Sequence, residues 1–117
     1  MKRLIISIAL ALTSCQALAG DYDGVWRIAA LPEDYFLVRS VNETLVAVRL
    51  SSNFYEILLG PLKQTQATLS SFKSTVNTQA SIVFSSSQEA IVTIQSCEPA
   101  AQCQFQSGTV IHIEKFF

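Results

Sequence analysis

Hydrophobic residues beyond position 24 occur in short runs that are rich in β-branched and aromatic side chains. Several runs alternate apolar and polar positions, as in Val92-Thr93-Ile94-Gln95, and polar turn-forming residues separate the runs. No window after Ala19 has a helical period of useful length. The pattern predicts about eight β-strands. The predicted runs are 25–28, 35–41, 45–50, 54–59, 67–72, 80–85, 90–97 and 105 or 108–117.

The connections between these runs are too short to hold crossover helices, so consecutive strands are expected to pair in antiparallel fashion. We therefore predict an all-β fold, an antiparallel meander that forms a small closed or partly open barrel, with a β-sandwich as the alternative. Bulky inward side chains are expected to fill the barrel and to leave no cavity of ~300 Å³. The inward candidates are Trp26, Ile28, Phe36, Val38, Val46, Val48, Val92 and Ile94.

Residues 1–19 have the pattern of a secretion signal, and residues 20–117 are expected to form a single β domain. Lys2-Arg3 is a positive start, an apolar stretch follows over 4–12, and Ala17-Leu18-Ala19 supplies small residues for cleavage. The apolar stretch is too short to remain as a membrane span, and no later stretch in the mature chain is apolar enough to form one. The pattern predicts export to the periplasm or the medium.

Leu12-Thr13-Ser14-Cys15 also resembles the lipobox of bacterial lipoproteins, in which the cysteine is lipidated. Cys15 is therefore a second possible processing point. With that processing the protein would be an outer-membrane lipoprotein instead of a free exported protein. The sequence leaves both alternatives open.

Two cysteines remain in the mature chain after either processing. Because the predicted compartment is oxidising and only five residues separate them, Cys97 and Cys103 are expected to form a disulfide. A zinc site is the alternative, but the two thiols and His112 offer only three ligands at no recognised spacing. We predict no metal and no cofactor.

The charge pattern argues against a nucleic-acid partner. The chain has 8 basic and 9 acidic residues, and removal of Lys2 and Arg3 with the signal makes the balance more acidic. Nucleic-acid binding needs clustered basic side chains. The basic residues are spread singly, at Arg27, Arg39, Arg49, Lys63, Lys73 and Lys115.

No combination of residues predicts an enzyme. His112 and Glu114 are two apart on a strand and share a face, where we expect an exposed ion pair rather than a catalytic base. Asp21 and Asp23 are expected to be solvated near the mature N-terminus, and no Gly-x-Ser-x-Gly motif is present. Asn42-Glu43-Thr44 fits a hairpin turn better than a glycosylation site.

Asp23-Gly24-Val25-Trp26 resembles the Gly-x-Trp opening of the lipocalins and the avidin-like barrels, the calycin type of small β-barrel. This resemblance implies that Trp26 plugs one end of the barrel and that Lys115 packs over it. The chain is also similar to the small periplasmic lysozyme inhibitors in architecture and compartment only, because their Ser-Gly-x-x-Tyr motif is absent.

We therefore expect a non-catalytic exported envelope protein, a protein-interaction or inhibitor-like module whose partner is an envelope or extracellular protein. The alternative is a carrier that holds a small apolar ligand inside a lipocalin-like barrel.

Overall fold

The computed structural model describes residues 20–53 and 55–117, which form a closed antiparallel β-barrel. Each strand pairs with its neighbours in sequence, and the first strand also pairs with the last. This arrangement confirms the predicted all-β meander and, of the two architectures, the barrel. The predicted signal and Cys15 lie outside the described residues. The strands in these ranges are β1 (Gly24–Ile28), β2 (Leu31–Val41), β3 (Thr44–Leu50), β4 (Tyr55–Lys63), β5 (Gln66–Ser71), β6 (Asn77–Phe84), β7 (Glu89–Glu98) and β8 (Val110–Lys115).

A two-residue turn joins β2 to β3, as the sequence predicts. Asn42 and Glu43 have φ angles of 50° and 65°, and Val41 pairs directly with Thr44. Hairpins of this length favour turns with positive φ at both central positions, because such turns match the twist of the strands. The turn fixes which residues of β2 and β3 lie opposite each other.

Gly60-Pro61 is a dipeptide typical of a turn or of a proline at a strand's first position, but both residues lie inside β4. The backbone of β5 passes so close to Gly60 that a Cβ at this position would collide with the carbonyl oxygen of Thr68. A glycine at this position therefore allows β4 and β5 to approach each other closely. Pro61 is exposed and lies opposite Thr44.

The inner face of β3 is the opposite of the one predicted. Leu45, Ala47 and Arg49 are buried, whereas Val46 and Val48 are half-buried on the outside. Both faces of β3 carry apolar residues, so alternation alone does not show which face is buried. The other inward candidates are buried as predicted: Trp26, Ile28, Phe36, Val38, Val92 and Ile94.

An aromatic cluster plugs the end of the barrel that carries the turns at 42–43 and 64–65. Trp26 is fully buried, and its indole Nε1 donates a hydrogen bond of 2.9 Å to the carbonyl oxygen of Tyr22. Phe84 stacks on Tyr22 at 3.8 Å between ring centroids and meets Trp26 edge-on at 5.4 Å. Lys115 lies directly opposite Trp26 in the β1–β8 ladder.

Cys97 and Cys103 form the predicted disulfide. The bond ties β7 to the loop that follows it, residues 99–109, in which a short 3-10 helix spans Ala100–Gln102. Cys103 precedes β8, so the bond does not join two strands. The disulfide instead restricts the β7–β8 loop at the end of the barrel opposite Trp26.

Replacing both cysteines by alanine is expected to lower the free energy of unfolding by about 2 kcal/mol, since the bond removes loop-closure entropy from the unfolded chain. Urea unfolding of the Cys97→Ala/Cys103→Ala protein, compared with the oxidised wild type, measures this difference. The disulfide itself is checked by alkylation without reductant: labelling of both thiols in protein from its native compartment would contradict it.

Candidate ligand-binding site

The barrel encloses a cavity of about 360 Å³ between the Trp26 cluster and the β7–β8 loop. The prediction of a filled interior is therefore wrong. The deep wall is apolar and is contributed by most of the strands. Its side chains include Val38, Leu58, Leu69, Ile82, Val92 and Ile111.

The cavity exists because several inward positions carry small side chains. Ala47 of β3 and Ala80 of β6 are both buried and both line it. The larger Val46 and Val48 were expected to fill this part of the core, but they point away from the cavity. The space that they would occupy is therefore unfilled. An eight-stranded barrel is just wide enough to hold one small ligand when its inward side chains are small.

Arg49 lines the mouth of the cavity, the end facing the β7–β8 loop, and belongs to a buried ion pair. The guanidinium Nη2 of Arg49 is 3.5 Å from Oδ2 of Asp34. Arg49 is 5% exposed and Asp34 is 6% exposed. Gln104 joins the pair from the β7–β8 loop: its Oε1 accepts a hydrogen bond from Arg49, and its Nε2 donates one of 3.4 Å to Asp34. The guanidinium also lies over the ring of Phe105, 4.6 Å from its centroid. Arg49 therefore holds the loop against the barrel.

Burial lowers the pKa of Arg49 below its ordinary value, and the negative charges of Asp34 and Glu56 act against this shift. Arginine has so high an ordinary pKa that it stays protonated in proteins. The mouth therefore holds one permanent positive charge, with Asp34 as its direct partner.

Glu56 and Thr78 form a second polar group at the mouth, and both line the cavity. The Thr78 hydroxyl donates a hydrogen bond of 3.2 Å to Oε2 of Glu56 and lies 3.5 Å from Sγ of Cys97. Thr78 is buried, whereas Glu56 is half-buried. A carboxylate therefore faces the same space as the apolar wall.

The predicted His112–Glu114 ion pair is wrong. Glu114 pairs with Arg27, whose Nε is 2.9 Å from Oε1 of the carboxylate, while His112 is exposed on the outer face of β8. Arg27 lies directly opposite Glu114 in the β1–β8 ladder. Residues opposite each other on paired strands are closer than residues two apart on one strand.

Asp23 is not the solvated carboxylate that the sequence suggests. Its Oδ1 accepts hydrogen bonds from the backbone N–H of Ser40 at 2.8 Å and from the Ser40 hydroxyl at 3.1 Å. These bonds fix the segment before β1 to β2. Asp21 is exposed, and its carbonyl oxygen accepts a hydrogen bond of 3.2 Å from Nζ of Lys115.

Sequence reasoning missed the mouth of the cavity. Asp34, Arg49, Glu56, Thr78 and Gln104 come from four strands and a loop, and no spacing in the sequence marks them as one site. The turn at 42–43 could have indicated that Arg49 is inward. A two-residue turn places Arg49 directly opposite Phe36, and opposite residues of paired strands lie on the same face of the sheet.

The fold and site define a small closed β-barrel with an apolar cavity and a polar mouth. Comparisons of the chain with protein-family models, with curated proteins and with solved structures give no significant match. Across residues 20–53 and 55–117 there is no helix long and apolar enough to cross a membrane. The same residues contain no group of three or more side chains suited to holding a metal ion.

Proposed function

We propose that this protein binds a small, largely apolar molecule inside the barrel and acts as its carrier. The observation that carries the proposal is the cavity of about 360 Å³ with an apolar wall and a few polar groups at its mouth. Small-molecule sites commonly have ~300–1,000 Å³ and this distribution of polar groups. The resemblance of Gly24-Val25-Trp26 to the lipocalin opening points to the same use of a barrel.

The predicted compartment fits a carrier. The Cys97–Cys103 disulfide is compatible with an exported protein, since such bonds persist in oxidising environments. A soluble protein that begins at Gly20 would carry its ligand through the periplasm or the medium. A lipid anchor at Cys15 would hold the same barrel at the outer membrane.

A protein-interaction module is the second candidate. Leu37 and Val41 are 41% and 46% exposed on the outer face of β2, beside the half-buried Val46 and Val48 of β3. Together they line a shallow depression with Asp23 and Arg39 at its border. Exposed apolar patches with polar rims are typical of protein contacts, so an envelope or extracellular protein remains a proposed partner.

Filling the cavity tests the carrier proposal. The Ala47→Phe side chain would occupy the space of the ligand, so we expect it to weaken binding of the neutral fluorophore N-phenyl-1-naphthylamine at least tenfold. Val48→Phe places the same ring outside the barrel and is expected to leave binding unchanged. Fluorescence titration measures both, with circular dichroism as the check of folding.

Two results would count against a carrier: a wild-type protein that fails to bind the fluorophore, or equal binding by wild type and a folded Ala47→Phe protein. Loss of binding in Val48→Phe alone would move the site to the outer face of β3.

A further inference from the structure

We propose that the natural ligand has a head group that donates hydrogen bonds, an alcohol or an amine, and that the site discriminates against carboxylates and phosphates. This inference rests on the proposed ligand binding. It follows from how the three charged side chains at the mouth are arranged.

The positive charge at the mouth already has protein partners. Arg49 is engaged by the carboxylate of Asp34, by the amide oxygen of Gln104 and by the ring of Phe105. An anionic head group that takes the Nη2 donors of Arg49 would have to displace the buried carboxylate of Asp34. That exchange leaves Asp34 buried without its ion-pair partner, which is unfavourable.

Glu56 is a charged group at the mouth that has acceptor positions left for a ligand. Its carboxylate lines the cavity and is half-buried. A carboxylate offers about four acceptor positions, and the hydroxyl of Thr78 uses one of them. A hydroxyl or ammonium group on the ligand can donate to the others, whereas a carboxylate cannot.

The charge balance points the same way. Arg49 and Glu56 line the cavity, and Asp34, which pairs with Arg49 without lining it, brings the sum of the three charges to one negative. Arg49 and Asp34 are buried and Glu56 is half-buried, so water screens these charges less than at an open surface. An ammonium group would be attracted to this mouth, a hydroxyl would be accepted, and an anion would be repelled.

Three ligands with the same decyl chain test the head group: decylamine, decan-1-ol and decanoate. Each competes with N-phenyl-1-naphthylamine for the oxidised mature protein at pH 7. We expect the amine and the alcohol to displace the fluorophore at concentrations at least tenfold lower than decanoate. The Glu56→Gln variant keeps the shape of the side chain but loses its charge, and it should remove most of the preference for the amine over decanoate.

Glu89→Gln is the matched control, because Glu89 is an exposed carboxylate at the start of β7, near the plugged end. It changes the net charge equally and should preserve the preference. The inference is wrong if decanoate competes as well as decylamine, if none of the three competes, or if a folded Glu56→Gln protein keeps the wild-type preference. Failure of the fluorophore itself to bind wild type would instead overturn the carrier proposal.

Discussion

Replacing Trp26 by alanine is expected to lower the free energy of unfolding by about 4 kcal/mol, which is typical for removal of a large buried aromatic side chain. Trp26 is fully buried, packs edge-on against Phe84 and donates its indole hydrogen bond to Tyr22. The substitution removes all three interactions at once. Urea unfolding followed by circular dichroism measures the change, because Trp26 is the chain's one tryptophan and fluorescence is lost with it.

Trp26→Phe is the control, since it retains an aromatic ring but lacks the indole N–H. It should cost roughly 1–2 kcal/mol, the combined loss of one hydrogen bond and some packing. A loss below about 1 kcal/mol in Trp26→Ala would contradict the packing described for the plugged end.

Asp34→Ala is expected to lower the free energy of unfolding by about 3 kcal/mol, nearly as much as Trp26→Ala. The substitution leaves the guanidinium of Arg49 buried without its carboxylate, and breaking a buried ion pair from one side is strongly destabilising. Gln104 also loses an acceptor for its Nε2. Equilibrium urea unfolding measures the change, and Glu33→Ala, an exposed acidic neighbour, should remain within about 0.5 kcal/mol of wild type.

The double variant Asp34→Ala/Arg49→Met separates the ion pair from its surroundings. The double variant leaves neither member of this pair buried alone, so it should lose less stability than the sum of the two single variants. Additive losses would show that Asp34 and Arg49 do not interact, in contradiction to their 3.5 Å separation.

Strand existence and order were accessible from the sequence because β-branched runs and turn residues are local signals. The predicted strand at 45–50 matches β3 (Thr44–Leu50) closely. Its inner face was not accessible from alternation, since Leu45 and Ala47 are as compatible with a core as Val46 and Val48. The turn at 42–43 shows which face of β3 is inward only when the inner face of β2 is known, because it places Ala47 opposite the inward Val38.

The cavity and its mouth depend on contacts that are distant in the sequence. The Arg49–Gln104 contact joins residues 55 positions apart, and Gln104 lies in a loop whose path the disulfide restricts. No local pattern encodes such a contact, because the β7–β8 loop is positioned by tertiary structure. The error about β3 also hid the cavity, since it placed two valines in the space that Ala47 leaves open.

The pairing of β1 with β8 has a consequence for how the chain folds. The ladder joins Trp26 to Lys115, and the backbone N–H and carbonyl of Val25 bond to Phe116 and Phe117. The barrel therefore cannot close until β8 has been synthesised. Contacts between such distant residues slow folding, commonly into the range of milliseconds to seconds. Until the barrel closes, β1 is not paired with β8, and its open edge is exposed to pairing with other chains.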